Sequence, residues 1–335
     1  MTSGLTSRSL ARARRSSLYH WVDYHHFMAL TVLEPGLYSI VVDGGRPAFR
    51  HLGMPLGGAA DRAAYELGNA LLGNEPTAPA LEITMTGPTL HADQRTACVL
   101  FGSPFLAAIA NKGRLPPGTT FTLEAGDVLK IDGTPIGLRG YLCVAGGFDV
   151  PHIMNSASGL SPIAIGDSLP CAESSVGGRA LPFAISPVSA GIDAANATII
   201  RTLPGPQVDW FLHAERFFEA NYEVLSASNR MGLRLRGMTL ERRPGELISE
   251  AVAPGSVQIA NDGQPIVLGV DGQTIGGYPK IAHVIRADLD ALAQLRPGTF
   301  IRFVAVTTDE AAKANTAREA VLREWFLRLR VAPGL

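Results

Sequence analysis

Residues 261–280 read NDGQPIVLGVDGQTIGGYPK, a strand-like apolar run held between two Asp-Gly pairs and ending at Gly-Gly-Tyr-Pro-Lys. Asp-Gly is favoured in tight hairpin turns because glycine accepts positive φ without steric cost and aspartate caps its own turn. The run PIVLGV, bounded in this way, predicts a β-hairpin. A hairpin alone leaves unexplained why Gln264, Gln273, Thr274, Gly276, Gly277, Tyr278 and Lys280 gather so closely. Long amides read donors and acceptors alike, and successive glycine N–H groups can approach an oxyanion, so the stretch is also read as a binding element.

The pattern repeats outward from this hairpin. LYSIVVDGG, ALEITM, ACVLFG, GYLCVAGG, SVQIA and TFIRFVAV are short runs punctuated by the chain's 36 glycines and 23 prolines. Such runs predict a mainly β protein with a few helices. Three-and-four spacing of apolar residues predicts helices over 61–73, 209–222 and 286–295, and a charged amphipathic helix from Thr308-Asp309-Glu310 to the C-terminal region. LEAGDVLKI (123–131) and LRPGTFIRF (295–303) share a turn-then-strand frame, which suggests two similar β units. The expected organisation is an unstructured extension over 1–27, a first β domain over 28–195, a second over 196–310 and a C-terminal helix over 311–335. The boundary near 195 rests on a Ser-, Ala-, Gly- and Pro-rich stretch.

Composition limits the function. The 335 residues carry 46% hydrophobic and 18% charged residues with a formal net charge of −1. Such a chain buries a sizeable core and offers no broad basic field, so nucleic acid and membrane surfaces are not expected partners. Three scattered cysteines and the lack of Cys-x-x-Cys or His-x-x-x-His spacing predict neither a disulfide framework nor a metal site. No apolar run reaches the roughly 20 residues of a membrane span, and a cytoplasmic protein is expected.

Three stretches carry candidate chemistry. In HLGMPLGGAADRAAYELGNALLGN (51–74) a glycine-rich loop leads into a helix. It reads either as an anion-binding helix start or as a turn capped by Asp61, and the local sequence favours the cap. In SASNRMGLRLRG (226–237), a strand would place Arg230, Arg234 and Arg236 on one face with Met231, Leu233 and Leu235 buried behind them. Such guanidinium groups can clamp a carboxylate or phosphate bidentately. The third stretch is the hairpin with its lead-in, which adds Gln258. Lys280 stands out as one of four lysines in an arginine-biased chain.

At these stretches the chain resembles the allophanate hydrolase subunit 2 domain family, which includes the C subunit of 5-oxoprolinase, the Kip antagonist protein and the carboxyltransferase region of urea carboxylase. DGGRPAFRHLGMPLGGAADR, LEITMTGPTL, YLCVAGGFDVP, GPQVDWF, NRMGLRLRG and SEAVAPGSVQIANDGQPIVLGVDGQTIGGYPKIAHVI carry the likeness, from about Leu30 to Thr308. It implies a pair of cyclophilin-like β-barrel units, a B subunit or Kip-inhibitor-like partner, and a further A subunit. The implied reaction is ATP-dependent opening of 5-oxoproline to glutamate. A biotin-linked carboxyltransferase component acting on urea, with biotin on another protein, and a non-catalytic regulator that binds a Kip-inhibitor-like protein are the alternatives.

The resulting role assignments are Arg230 and Arg234 for anion clamping and Gln264 and Gln273 for the amide, with Gln258, Thr274 and Tyr278 as further substrate-binding residues. Lys280 with the Gly276 and Gly277 backbone serves the developing oxyanion, and Asp61 and His51 proton transfer. All are expected to share one cleft. The chain departs from the family pattern at Ser156-Ala157-Ser158-Gly159, where Ser-Arg-Ser-Thr is usual, and at Val42 and Ala60, where Gln and Met are usual.

Overall fold

A computed structural model describes residues 29–182, 197–243, 245 and 247–331. The expected extension over 1–27 and the boundary near residue 195 fall outside the described residues. The first half runs β1 (Ala29–Glu34), β2 (Tyr38–Val42), α1 (Arg62–Leu71), β3 (Ala80–Thr84), β4 (Thr89–Ala92), β5 (Thr96–Gly102), β6 (Ala107–Ile109) and β7 (Gly113–Leu115). It continues with β8 (Thr120–Leu123), β9 (Val128–Ile131), β10 (Arg139–Val144) and β11 (Ser168–Pro170). The second half runs β12 (Thr198–Pro204), α2 (Glu215–Glu219), β13 (Asn221–Val224), β14 (Gly232–Arg236), β15 (Glu250–Ala251), β16 (Ser256–Ile259) and β17 (Pro265–Leu268). The chain ends with β18 (Ile275–Gly276), β19 (Lys280–Val284), α3 (Leu289–Ala293), β20 (Phe300–Ala305) and α4 (Thr308–Val331).

The mainly β class is as expected. In the first half, a six-stranded sheet (β11-β1-β4-β9-β6-β7) faces a five-stranded one (β2-β3-β10-β5-β8). Strands β5 and β10 are buried along their whole length because the five-stranded sheet is covered on both faces. Alternation sorts their side chains: Cys98, Leu100, Leu142 and Val144 enter the core between the sheets. Val99, Phe101, Tyr141 and Cys143 point the other way, onto α1 and the Leu322 and Leu329 side chains of α4. Continuous apolar runs such as ACVLFG therefore mark strands inside a layered core.

The second half is a closed barrel of order β12-β19-β16-β17-β14-β13-β20. Every neighbouring pair is antiparallel except β12 with β20, the parallel pair that closes the ring, in which Thr198 pairs with Ile301. Phe217 stacks on Phe303 at a centroid distance of 4.7 Å within its core. The hairpin read from residues 261–280 is β16–β17, with Gly263 at φ 75° in its Asp-Gly turn. The two turn-then-strand frames place Gly126 and Gly298 at φ 88° and 85° before β9 and β20.

The helices are shorter than the spacing predicts. The 209–222 pattern yields only α2 and a 3-10 turn at Val208–Trp210, because Asn221 onward is drawn into the barrel as β13. The 286–295 pattern yields a 3-10 turn over Arg286–Asp288 and then α3. The cap of α4 is Thr307 rather than Thr308: its Oγ1 accepts from Glu310 N, and the Glu310 carboxylate accepts from Thr307 N, a reciprocal capping box. Among the described residues no helix is long and apolar enough to cross a membrane.

Candidate functional site

Glu82 sits in the middle of ALEIT, fully buried, in a strand whose other core positions are apolar. A charge there requires partners. Arg230 Nη1 donates to its Oε1 at 2.6 Å, and Arg139 Nε lies 3.2 Å from the same oxygen. Its Oε2 accepts from Ala60 N and from the Tyr141 hydroxyl at 2.8 and 2.9 Å. Burial alone raises the Glu82 carboxyl, but the Arg230 and Arg139 charges and these donors outweigh it and hold it below the usual carboxylate range. Arg230 also forks onto Asp271, at 2.7 and 3.0 Å, and donates to the Gly58 carbonyl. One guanidinium thus ties the barrel to the first half.

Asp61 caps α1, as the local sequence favours, with Oδ1 accepting from Ala64 N at 2.9 Å. Its Oδ2 accepts from Gln294 Nε2 at 2.6 Å, a second link between the halves. Burial pushes the Asp61 carboxyl up to about 6 despite these donors. An unfolded aspartate titrates near 3.9. Between those values the folded chain keeps a proton that the unfolded chain has released, so this group favours folding at the acid end. That contribution is lost as pH rises through 6. Asp61→Asn, which retains a capping oxygen, is expected to remove a fall in unfolding free energy on the order of 2–3 kcal/mol between pH 4 and 6.5. Urea titrations of both proteins across that range check it; parallel stability curves would reject it.

The departing loop at 156–159 is tied down. Asp43 accepts from the Ser156 and Ser158 hydroxyls at 2.6 and 2.9 Å and from Ala157 N at 2.7 Å. Arg46 donates to the Ser158 carbonyl. The two serines that this chain keeps are the residues that hold the loop.

A second polar group lies at the barrel end where β19 begins. Lys280 Nζ donates to Glu250 Oε1, which also accepts from Gln207 Nε2 at 2.7 Å; Lys280 N donates to Gln207 Oε1 at 3.0 Å. The lysine hydrogen bond holds the Glu250 carboxyl below its ordinary range. Gln258 pairs with Lys280 in register and its amide lies 3.4 Å from the Tyr278 carbonyl. A Cβ at Gly276 would meet the amide nitrogens of Gln258 and Gln273 at 2.6 and 2.7 Å, so only glycine lets the two amides converge there. Arg242, Asn261, Gln273, Gly277 and Tyr278 line an adjoining cavity of about 500 Å3.

The structure therefore brings Gln258, Gln273, Gly276, Gly277, Tyr278 and Lys280 together and separates the other candidates from them. Arg230 is not part of a strand face: it precedes β14 at the Asn229–Gly232 bridge and turns inward to the carboxylates that occupy it. Arg234 lies exposed on the barrel exterior, Arg236 pairs with Glu223, and Met231 is 55% exposed rather than buried. Gln264 braces a turn by accepting from Gly237 N and donating to Thr239. Thr274 serves through its carbonyl, which accepts from Val252 N. His51 is exposed on a 3-10 turn over Pro47–Leu52 and joins neither group, and Asp61 is buried in its contacts with Ala64 and Gln294, apart from the Lys280 group.

The single expected cleft is thus two. Arg230 lines a different cavity, of about 650 Å3, between the first half, the barrel and α4, whose lining includes neither Lys280 nor the amides. Sequence reasoning missed Glu82, Asp271, Glu250, Gln207 and Arg242. A glutamate inside the apolar run ALEIT was a visible sign of a paired charge, and Glu250 and Gln207 lie in stretches that carry the family likeness. Among the described residues no group of three or more His, Cys, Asp or Glu is placed to hold a metal ion.

Comparison with known proteins places this geometry. The family described as "Carboxyltransferase domain, subdomain A and B" matches residues 52–305. The chain is 36% identical over 314 residues to the 5-oxoprolinase C subunit of Escherichia coli K12, covering 90% of this chain and 98% of that one. The crystal structure of TTHA0988 is 34% identical with a TM-score of 0.73, over 84% of this chain and 56% of that chain, so this chain spans little more than half of it. The crystal structure of the Kluyveromyces lactis urea carboxylase is 25% identical with a TM-score of 0.81, over 90% of this chain and 30% of that one. From the matched domain and the 36% identity over 98% of the Escherichia coli protein, the chain belongs to the carboxyltransferase domain family, subdomains A and B.

Proposed function

We propose that this chain is the C subunit of a 5-oxoprolinase, acting with an A subunit, and with a B subunit of Kip-inhibitor type, in the ATP-dependent opening of 5-oxoproline to glutamate. The 36% identity to a 5-oxoprolinase C subunit over 98% of that protein's length carries the reading. The polar cavity lined by Arg242, Gln273, Gly277 and Tyr278, next to the segment that ends at Lys280, supports it. A cavity of about 500 Å3 exceeds what a five-membered lactam needs. The Gln258 and Gln273 amides offer the paired donor and acceptor that an amide requires. Arg242 supplies a fixed charge for the substrate carboxylate, and Lys280, held by Glu250, stabilises negative charge growing on the lactam oxygen. ATP is a co-substrate of the assembled complex, and no role for it is assigned to a residue of this chain.

The test is reconstitution with both partner proteins, following glutamate formed from 5-oxoproline with and without ATP. No glutamate with both partners present would overturn the reading. The family description and the urea carboxylase likeness favour a second reading, a biotin-linked carboxyltransferase component. Avidin-sensitive turnover of urea by the assembly would establish that one instead.

Gly276→Ala probes the amide pair directly. The added methyl meets the far ends of two flexible side chains rather than backbone, so the melting temperature is expected to move by less than about 3 °C, the scale of 1 kcal/mol or less in a chain of this size. Both amides must swing away, and KM for 5-oxoproline is expected to rise roughly tenfold, the equivalent of one good hydrogen bond. An unchanged KM would remove Gln258 and Gln273 from the substrate site.

A further inference from the structure

The cavity of about 650 Å3 between the two halves takes no part in the function proposed above, and its charges do not balance. Of the carboxylates on its lining, Glu66 pairs with Arg62 and Asp290 with Arg318, while Glu319 accepts from the neutral Asn315 and keeps its charge. Arg139 and Arg230 are occupied by Glu82 and Asp271. Arg286 and Arg323 remain, both exposed and both on the lining, with no ion pair or side-chain hydrogen bond among the described residues. Arg286 stands beside a third cation, Arg318, whose guanidinium is lowered by burial and by the charge of Arg286 and raised by the Asp61, Glu66 and Glu319 carboxylates.

Beneath these arginines the wall is apolar, with Leu56, Val270, Leu289, Leu322 and Phe326. Arg318, Arg323, Leu322 and Phe326 all come from α4, which begins after the last residue of the matched carboxyltransferase region. A volume in the roughly 300–1,000 Å3 range, an apolar body and a few convergent charges are the marks of a small-molecule site.

We propose that this cavity binds a small organic anion, its acidic group held by Arg286 and Arg323 and its apolar or aromatic body seated against Leu289, Leu322 and Phe326. The site is independent of the Lys280 cavity and of the reaction assigned to it.

Fluorescence titration of the full chain with two probes tests this. 1-Anilinonaphthalene-8-sulfonate carries an aromatic body and an anionic group, and N-phenyl-1-naphthylamine is the same body without the charge. The wild-type chain is expected to bind the sulfonate at least about tenfold more tightly, the worth of a charge-assisted pair. The exposed pair Arg286→Ala/Arg323→Ala should abolish that preference while neutral-probe binding stays within about twofold. Ile248→Ser/Ile275→Ser, which removes exposed apolar side chains that do not line this cavity, should leave it intact. A preference that survives the arginine substitutions, that disappears with the isoleucine ones, or that is absent from the wild-type chain overturns the proposal.

Discussion

Glu82→Gln is expected to lower the unfolding free energy by about 3–5 kcal/mol, the usual cost of removing one partner from a buried ion pair. The substitution keeps shape and a hydrogen-bonding head but leaves the buried Arg139 and Arg230 guanidinium groups without the carboxylate that they share. Arg230 retains Asp271, whereas Arg139 retains only carbonyl contacts. Replacing all three residues together with apolar side chains of matched volume removes charge and partner at once, and is expected to cost less than Glu82→Gln alone. Urea midpoints of the single and triple variants decide the matter. A loss below about 1 kcal/mol for Glu82→Gln would mean that the cluster is solvated and is not the clasp between the halves.

Lys280→Ala is expected to reduce turnover by the reconstituted 5-oxoprolinase about 10²–10³-fold, the range for deleting one preorganised donor to a developing oxyanion. Lys280 is 7% exposed, so a stability control is needed. Glu250→Gln provides it: the glutamine keeps the contact with Gln207 and removes the charge that orients the lysine. It should lower kcat less than Lys280→Ala while leaving association with the partner proteins unchanged. Full activity of Lys280→Ala in the assembled complex would exclude an oxyanion role.

Much of the fold was legible because strand signals here are local. PIVLGV between Asp-Gly pairs, and ACVLFG between polar turns, announce themselves through turn chemistry and β-branched content. Capping by Asp61 was readable for the same reason. The helices at 209–222 and 286–295 were overestimated because apolar spacing does not reveal that Asn221–Val224 is claimed by the barrel.

The site divides in the same way. The amides and Lys280 cluster in sequence and in space. The arginines did not fit, since a period of two assumes a strand, and Arg230 lies before the strand begins, where a bridge turns it inward onto Glu82, 148 positions away. Pairings over such separations leave no trace in a short window. The Asp43 contacts that hold the 156–159 loop are of this kind.

The parallel seam between β12 and β20 has a biosynthetic meaning. Thr198 cannot find Ile301 until the ribosome has released the last strand, so every nascent chain passes through a stage with two raw sheet borders. Closure over so long an intervening segment is slow by its entropy alone. Removing β20 would leave the borders of β12 and β13 open and turn a sealed ring into a seed for chain-to-chain stitching.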